Sequence, residues 1–135
     1  MATYLLMIHF PVSGTIRVGA LGEQTLAAGE YLYVGSAKRH WQARIKRHLG
    51  TTTRRHWHID YLLAIPQAQV TSVWVTLADQ ECQTARMLLE LDKIAVVKPG
   101  MGASDCRCQG HFLRAGGKIE SIEEKLDGMG FFQHI

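Results

Sequence analysis

Residues 30–49, EYLYVGSAKRHWQARIKRHL, change period part-way along. The first six alternate. Tyr31, Tyr33 and Gly35 fall on one side of an extended chain and Leu32 and Val34 on the other, which predicts a strand over 30–35. From Ala37 the apolar positions recur every four residues, at Ala37, Trp41, Ile45 and Leu49, which predicts a helix over 37–49 with an apolar stripe. Gly50 is a natural stop for it. His40, Arg44, Arg47 and His48 are three and four apart and share the face beside that stripe. Arg44 is therefore expected at the edge of the buried side, where it can be held firmly and still reach a ligand.

Outward from this strand and helix the same reading gives the other elements. Residues 3–10 (TYLLMIHF) are too short for a typical helix and are bounded by β-formers, so they read as a buried strand. Residues 15–19 and 24–26 read as a short hairpin around Ala20-Leu21-Gly22. Residues 54–64 (RRHWHIDYLLA) read as a shorter helix ending before Pro66, and 69–77 (QVTSVWVTL) as a strand with β-branched Val70, Val73 and Val75. Asp79 is the expected cap of a helix over 80–91 with Glu81 in its first turn. A short strand at 94–97, a loop over 100–110, a strand at 112–114 and a final amphipathic helix over 119–127 complete the chain. This order of elements defines a small α+β domain.

The chain has 135 residues, of which 47% are hydrophobic and 20% charged, and that apolar fraction excludes disorder for most of it. A domain of this size buries roughly 65–70% of its unfolded surface, enough for a core. No apolar run reaches the roughly 18–20 residues of a membrane span, so no membrane partner is expected. Met1 to Phe10 carries neither basic residues before its apolar stretch nor a small-residue cleavage site, and reads as the first strand of a mature intracellular domain rather than a signal peptide. Three cysteines, an odd number, favour reduced thiols in a cytoplasmic compartment.

Charge is unevenly spread. Between Tyr31 and Ile59 there is no Asp or Glu, while Lys38, Arg39, Arg44, Lys46, Arg47, Arg54 and Arg55 supply seven of the fifteen Lys and Arg residues. Acids gather late, at Glu120, Glu123, Glu124 and Asp127. A localised positive field of this kind attracts polyanions and gives salt-dependent binding. Nucleic acid is the expected partner, DNA before RNA.

The stretch Tyr33-Val34-Gly35-Ser36-Ala37 followed by Arg44, His48 and later Glu81 resembles the GIY-YIG nuclease superfamily. The stretches GEYLYVGSA, RIKRHL, HWHIDYLL, the Glu81-Cys82 pair and SDCRCQGHF together resemble an uncharacterised branch of it, found as lone small proteins and fused to DNA-repair glycosylases. The resemblance covers residues 3 to about 114. The triplet Ala2-Thr3-Tyr4 stands where the family has Gly-Ile-Tyr, and the chain contains no asparagine, where many of these nucleases carry a late one. The resemblance implies a GIY-YIG-like domain over 1–135, with a mostly antiparallel three-stranded central sheet flanked by helices and the hairpin inserted.

It also implies metal-assisted hydrolysis of a phosphodiester. Arg44 would neutralise the phosphate, because a guanidinium matches two oxygens at once and stays charged. Glu81 would be the oxygen ligand of Mg²⁺ or Mn²⁺. Tyr4 and Tyr33 would position the attacking water or accept its proton, and His48 would be a second phosphate contact or a proton donor. Lys38, Arg39, Arg47, Arg54 and Arg55 would bind the nucleic-acid backbone. In the loop SDCRCQGHF, Cys106, Cys108 and His111, with Cys82 as a fourth, offer the ligand types of a tetrahedral zinc site, and equally those of buried reduced cysteines or of a cysteine nucleophile. Three functions stay open on sequence: a metal-dependent endonuclease, a nucleic-acid-binding module without cleavage, and a zinc-stabilised structural domain.

Overall fold

A computed structural model describes residues 1–50, 58–65, 67–101, 108, 110–117 and 119–135, with the backbone alone at position 58. Arg54, Arg55, Cys106 and the start of the helix expected over 54–64 lie outside the described residues. The elements are β1 (Ala2–Phe10), β2 (Gly14–Arg17), β3 (Glu23–Leu26), β4 (Gly29–Ala37), α1 (Trp41–Leu49), α2 (His58–Leu63), β5 (Gln69–Thr76), α3 (Glu81–Leu89), β6 (Ile94–Val96), β7 (Phe112–Ala115), α4 (Ile119–Gly128) and β8 (Phe132–Gln133).

The fold is α+β, as expected. The central sheet has six strands in the order β6-β7-β4-β1-β5-β8, and every pairing is antiparallel. The three expected strands form its middle, β4-β1-β5. The sheet is wider than three strands because β7 and β6 add to one edge and β8 to the other. The inserted hairpin is β2 paired with β3, joined through a 3₁₀ turn at Gly19–Leu21.

The hydrophobic run of β1 follows from its position. It lies between two strands and beneath helices on both faces, so nearly every residue is buried. Its alternate side chains enter two separate cores. Tyr4, Leu6 and Ile8 join Tyr31, Tyr33, Val73 and Val75 beneath Ile45 of α1 and Ile59 and Leu62 of α2. Leu5 and Met7 join Leu32, Val34 and Trp74 beneath Ala85 and Leu88 of α3 and Ile122 and Leu126 of α4. The division expected for β4, with Tyr31, Tyr33 and Gly35 on one face and Leu32 and Val34 on the other, is the one observed.

Most boundaries move by a residue or two, and three differences bear on the site. The strand expected to end at Gly35 runs to Ala37, because Ser36 and Ala37 pair with Thr3 and Ala2. The helix therefore starts at Trp41 rather than Ala37, after His40 in a left-handed conformation (φ 54°). With the start shifted, the buried positions of α1 are Ile45 and His48, while Leu49 is exposed. Spacings of four and seven from Trp41 put His48, not Leu49, on the inner face. Finally, Asp79 does not cap α3. The N-cap position is Gln80, with no side-chain cap; the hydroxyl of Thr3 donates to the Ala78 carbonyl at 2.8 Å and accepts the Gln80 N–H at 2.9 Å, so β1 holds the turn that leads into the helix.

Candidate functional site

Thr3 and Tyr4 are neighbours on β1 and point to opposite faces of the sheet. Thr3 fixes the start of the helix that carries Glu81. Tyr4 enters the core beneath α1. One strand thus sets the positions of two candidate residues that lie 77 residues apart, the separation of Thr3 and the Gln80 whose N–H it accepts.

Tyr4 pairs with Gly35 across the β1–β4 ladder. A Cβ built on Gly35 would lie 2.6 Å from the Tyr4 hydroxyl, so only glycine lets the phenol lie across β4. There the Tyr4 hydroxyl meets His48 Nε2 at 2.7 Å. The Tyr4 and Tyr33 ring centroids are 6.3 Å apart, and Tyr33 meets the His48 ring edge-on at 6.2 Å. Arg44, one turn before His48, donates from Nη1 to the Ser36 carbonyl at 2.6 Å and hydrogen-bonds the Tyr4 phenol.

Helices α1 and α3 lie on opposite faces, yet Arg44 and Glu81 both reach Ser36. Arg44 binds its carbonyl, and the Ser36 hydroxyl donates to Glu81 Oε2 at 2.8 Å. The β4–β7 pairing stops at Tyr33 and Phe112, so the end of β4 projects past β7. Residues from both layers meet at that projecting end. Ser36 was not among the candidates, although it directly follows Gly35 in the quoted stretch.

The electrostatics follow from burial. Burial raises the Tyr4 phenol well above its ordinary value, with Arg44 partly opposing the shift. Tyr33 moves the same way for the same reason. Burial lowers His48 to about 4, with Asp60 opposing and Arg47 and Arg44 reinforcing the shift. At neutral pH the cluster is two neutral phenols, a neutral imidazole and a guanidinium.

Of the other candidates, Lys38 and Arg39 are exposed beyond β4. Arg47 donates to the buried Asp60 carboxylate at 3.1 Å, which ties α1 to α2. On the other side of Glu81, Oε1 meets His111 Nδ1 at 2.9 Å. Burial lowers His111, but hydrogen bonds to Glu81 and Cys108 outweigh it and the ring ends above its ordinary value. Cys82, Cys108 and His111 place their ligand atoms within 4.8 Å of one another and can hold a metal ion. They are three of the four residues proposed for zinc; Cys106 lies outside the described residues. The contact between His111 and Glu81 had no signal in their spacing.

Fold and site together define an antiparallel α+β domain with an Arg–Tyr–His cluster at one end of its sheet and a thiol–imidazole cluster beside it. The chain belongs to the family described as domain of unknown function DUF123, whose model matches residues 3–130. Among curated proteins and among solved structures, none matches the chain. No helix of the described residues is long and apolar enough to cross a membrane.

Proposed function

We propose that the chain is a metal-dependent phosphodiesterase of the GIY-YIG type, an endonuclease acting on DNA before RNA in a reducing cytoplasmic setting, with DNA repair as its context. One observation carries the reading: Arg44 and Glu81, from helices on opposite faces, both bind Ser36 beside the Tyr4 phenol.

In this reading the Arg44 guanidinium neutralises charge that develops on the scissile phosphate. Tyr4 donates its O–H to His48 Nε2 and accepts from Arg44. As water attacks phosphorus, its proton passes to the phenol oxygen and the phenol's own proton passes to His48. Approach of the anionic phosphate favours the protonated imidazole and so assists that transfer. Tyr33 packs against both rings and fixes their orientation. Glu81 fits a hard cation, because a carboxylate has room for a metal beside two hydrogen bonds and its side chain is 25% exposed. Mg²⁺ or Mn²⁺ held there would supply charge stabilisation of the leaving oxygen. Lys38 and Arg39, with Arg54 and Arg55, would track the backbone.

Supercoiled plasmid, single-stranded DNA and RNA incubated with the protein in Mg²⁺ or Mn²⁺ test the reading. Cleavage is expected, and Arg44→Ala and Glu81→Ala are each expected to lower it by about 100-fold or more. A second reading has its own support in the burial of Tyr4 and Tyr33, only 1% and 6% exposed. It is a nucleic-acid-binding module without cleavage, held together by zinc at Cys82, Cys108 and His111. Salt-sensitive binding with no cleavage under any metal would select it and end the first.

A further inference from the structure

The hydrolytic reading makes no use of the cysteines. Cys82 follows Glu81 on α3, and Cys108 and His111 precede β7. The backbone of His111 is fixed on both sides: its carbonyl accepts the Val34 N–H at 2.9 Å, and its N–H donates to the Met101 carbonyl at 3.0 Å. The ring is 2% exposed, with Nδ1 against Glu81 and the Cys108 thiol as its other hydrogen-bond partner.

We infer that Cys82, Cys108 and His111 form a zinc centre in which Glu81 is the carboxylate behind the histidine, so that one carboxylate serves both this centre and the Tyr4–Arg44 cluster. The inference does not need the hydrolytic reading; it rests on the zinc site of the second reading and adds the role of Glu81. A tetrahedral zinc site places two sulfurs about 3.8 Å apart and each sulfur a little closer to a nitrogen. The ligand atoms lie within 4.8 Å of one another, so side-chain shifts of about an ångström close the site.

With Nδ1 held by Glu81, the ring presents Nε2 to the metal. A carboxylate–histidine–zinc chain of this kind fixes the tautomer and raises the basicity of the ligand. Binding replaces two S–H bonds by two sulfur–metal bonds and releases the two protons to solvent. The fourth position goes to water or one further ligand. Glu81 is then a positioning residue: Oε1 orients His111, while Oε2 accepts from the Ser36 hydroxyl.

Titration of the reduced, metal-free full chain with Co²⁺, without nucleic acid or Mg²⁺, tests this. Saturation is expected at one equivalent, with thiolate-to-cobalt charge transfer and the visible bands of a tetrahedral ion, and Zn²⁺ should displace the cobalt. Cys82→Ser and Cys108→Ser should each weaken the charge-transfer band. Glu81→Ala should keep the two-sulfur spectrum but lower affinity about 10–100-fold. Glu81→Gln, whose amide oxygen still accepts from Nδ1–H, should recover part of that loss. No saturable binding by the wild-type chain overturns the centre, as does an unchanged spectrum in the double cysteine variant. Equal affinity in Glu81→Ala and wild type overturns the role given to Glu81. The wild-type spectrum reads sulfur ligation by itself, so a variant that fails to fold does not hide the result. Cleavage is not the readout, so failure here is distinct from failure of the hydrolytic reading.

Discussion

The two faces of the sheet carry comparable numbers of buried side chains but different chemistry. Beneath α3 and α4 the core contacts are aliphatic side chains with Met7 and Phe131 around Trp74. Beneath α1 and α2 the apolar contacts surround phenols, and His48, Arg44 and the Arg47–Asp60 pair complete the layer. Buried polar groups cost free energy unless they are hydrogen-bonded. Apart from Trp74, Thr84 and the Glu81–Cys82–His111 cluster at the start of α3, the first face is apolar, whereas the second holds polar groups through its middle. Helix α3 belongs to the first face, and only its N-terminal turn reaches the second.

The contrast can be broken most strongly at Leu88, which is fully buried on the plain face. Leu88→Ala should cost about 2–5 kcal/mol in urea unfolding. The loss should be the same at pH 5 and pH 7.5, and a pH-dependent loss would mean that the two faces are coupled.

On the other face the largest effect should come from pH. His48 has an unfolded pKa of 6.5 and about 4 in the folded chain. Between those values the unfolded state binds a proton that the folded state does not, so stability falls as pH drops from 6.5 to 4 and levels off below. A shift of this size amounts to about 3 kcal/mol. The difference in stability between wild type and His48→Gln, measured across that window, isolates the contribution from that of the carboxylates. A flat difference would place the ring in water instead of against Tyr4.

Gly35→Ala should act on the same pair by a different route, since the added methyl meets the Tyr4 ring. Overpacking of this kind costs about 1–3 kcal/mol. Because Tyr4 must move off His48, the acid-dependent loss should also shrink. If stability falls but the pH profile is retained, the ring has moved together with its partner.

The sequence made the sheet middle legible through two features, the alternation at 31–35 and the unbroken apolar run of β1. Tyr33 and Arg44 are legible as neighbours because a strand and the next helix pack locally, whereas Tyr4 joins them in the sequence reading only through the family resemblance. The start of α1 was misread because Ala37 satisfies both a strand and a helical stripe; pairing with Ala2 decides it, and pairing partners are not written in local spacing. The burial of His48 follows from that same shift. β8 is only two residues long and follows two glycines, so it carries no period to read. The junction at Ser36 and the contact of Glu81 with His111 depend on where β7 stops, a three-dimensional fact with no linear signature.

β1 also has a consequence for synthesis. It is a nine-residue strand without Lys, Arg, Asp or Glu, rich in residues that favour extended pairing. Its two flanking partners end at Ala37 and Thr76. At about 5–20 residues per second, the ribosome completes the second partner some 3–13 s after β1 is made. During that interval a sticky ribbon stands with one side open, and self-association between nascent chains competes with folding. Variants that delay the docking of β5 should therefore be recovered as inclusion bodies before they are recovered as misfolded monomers.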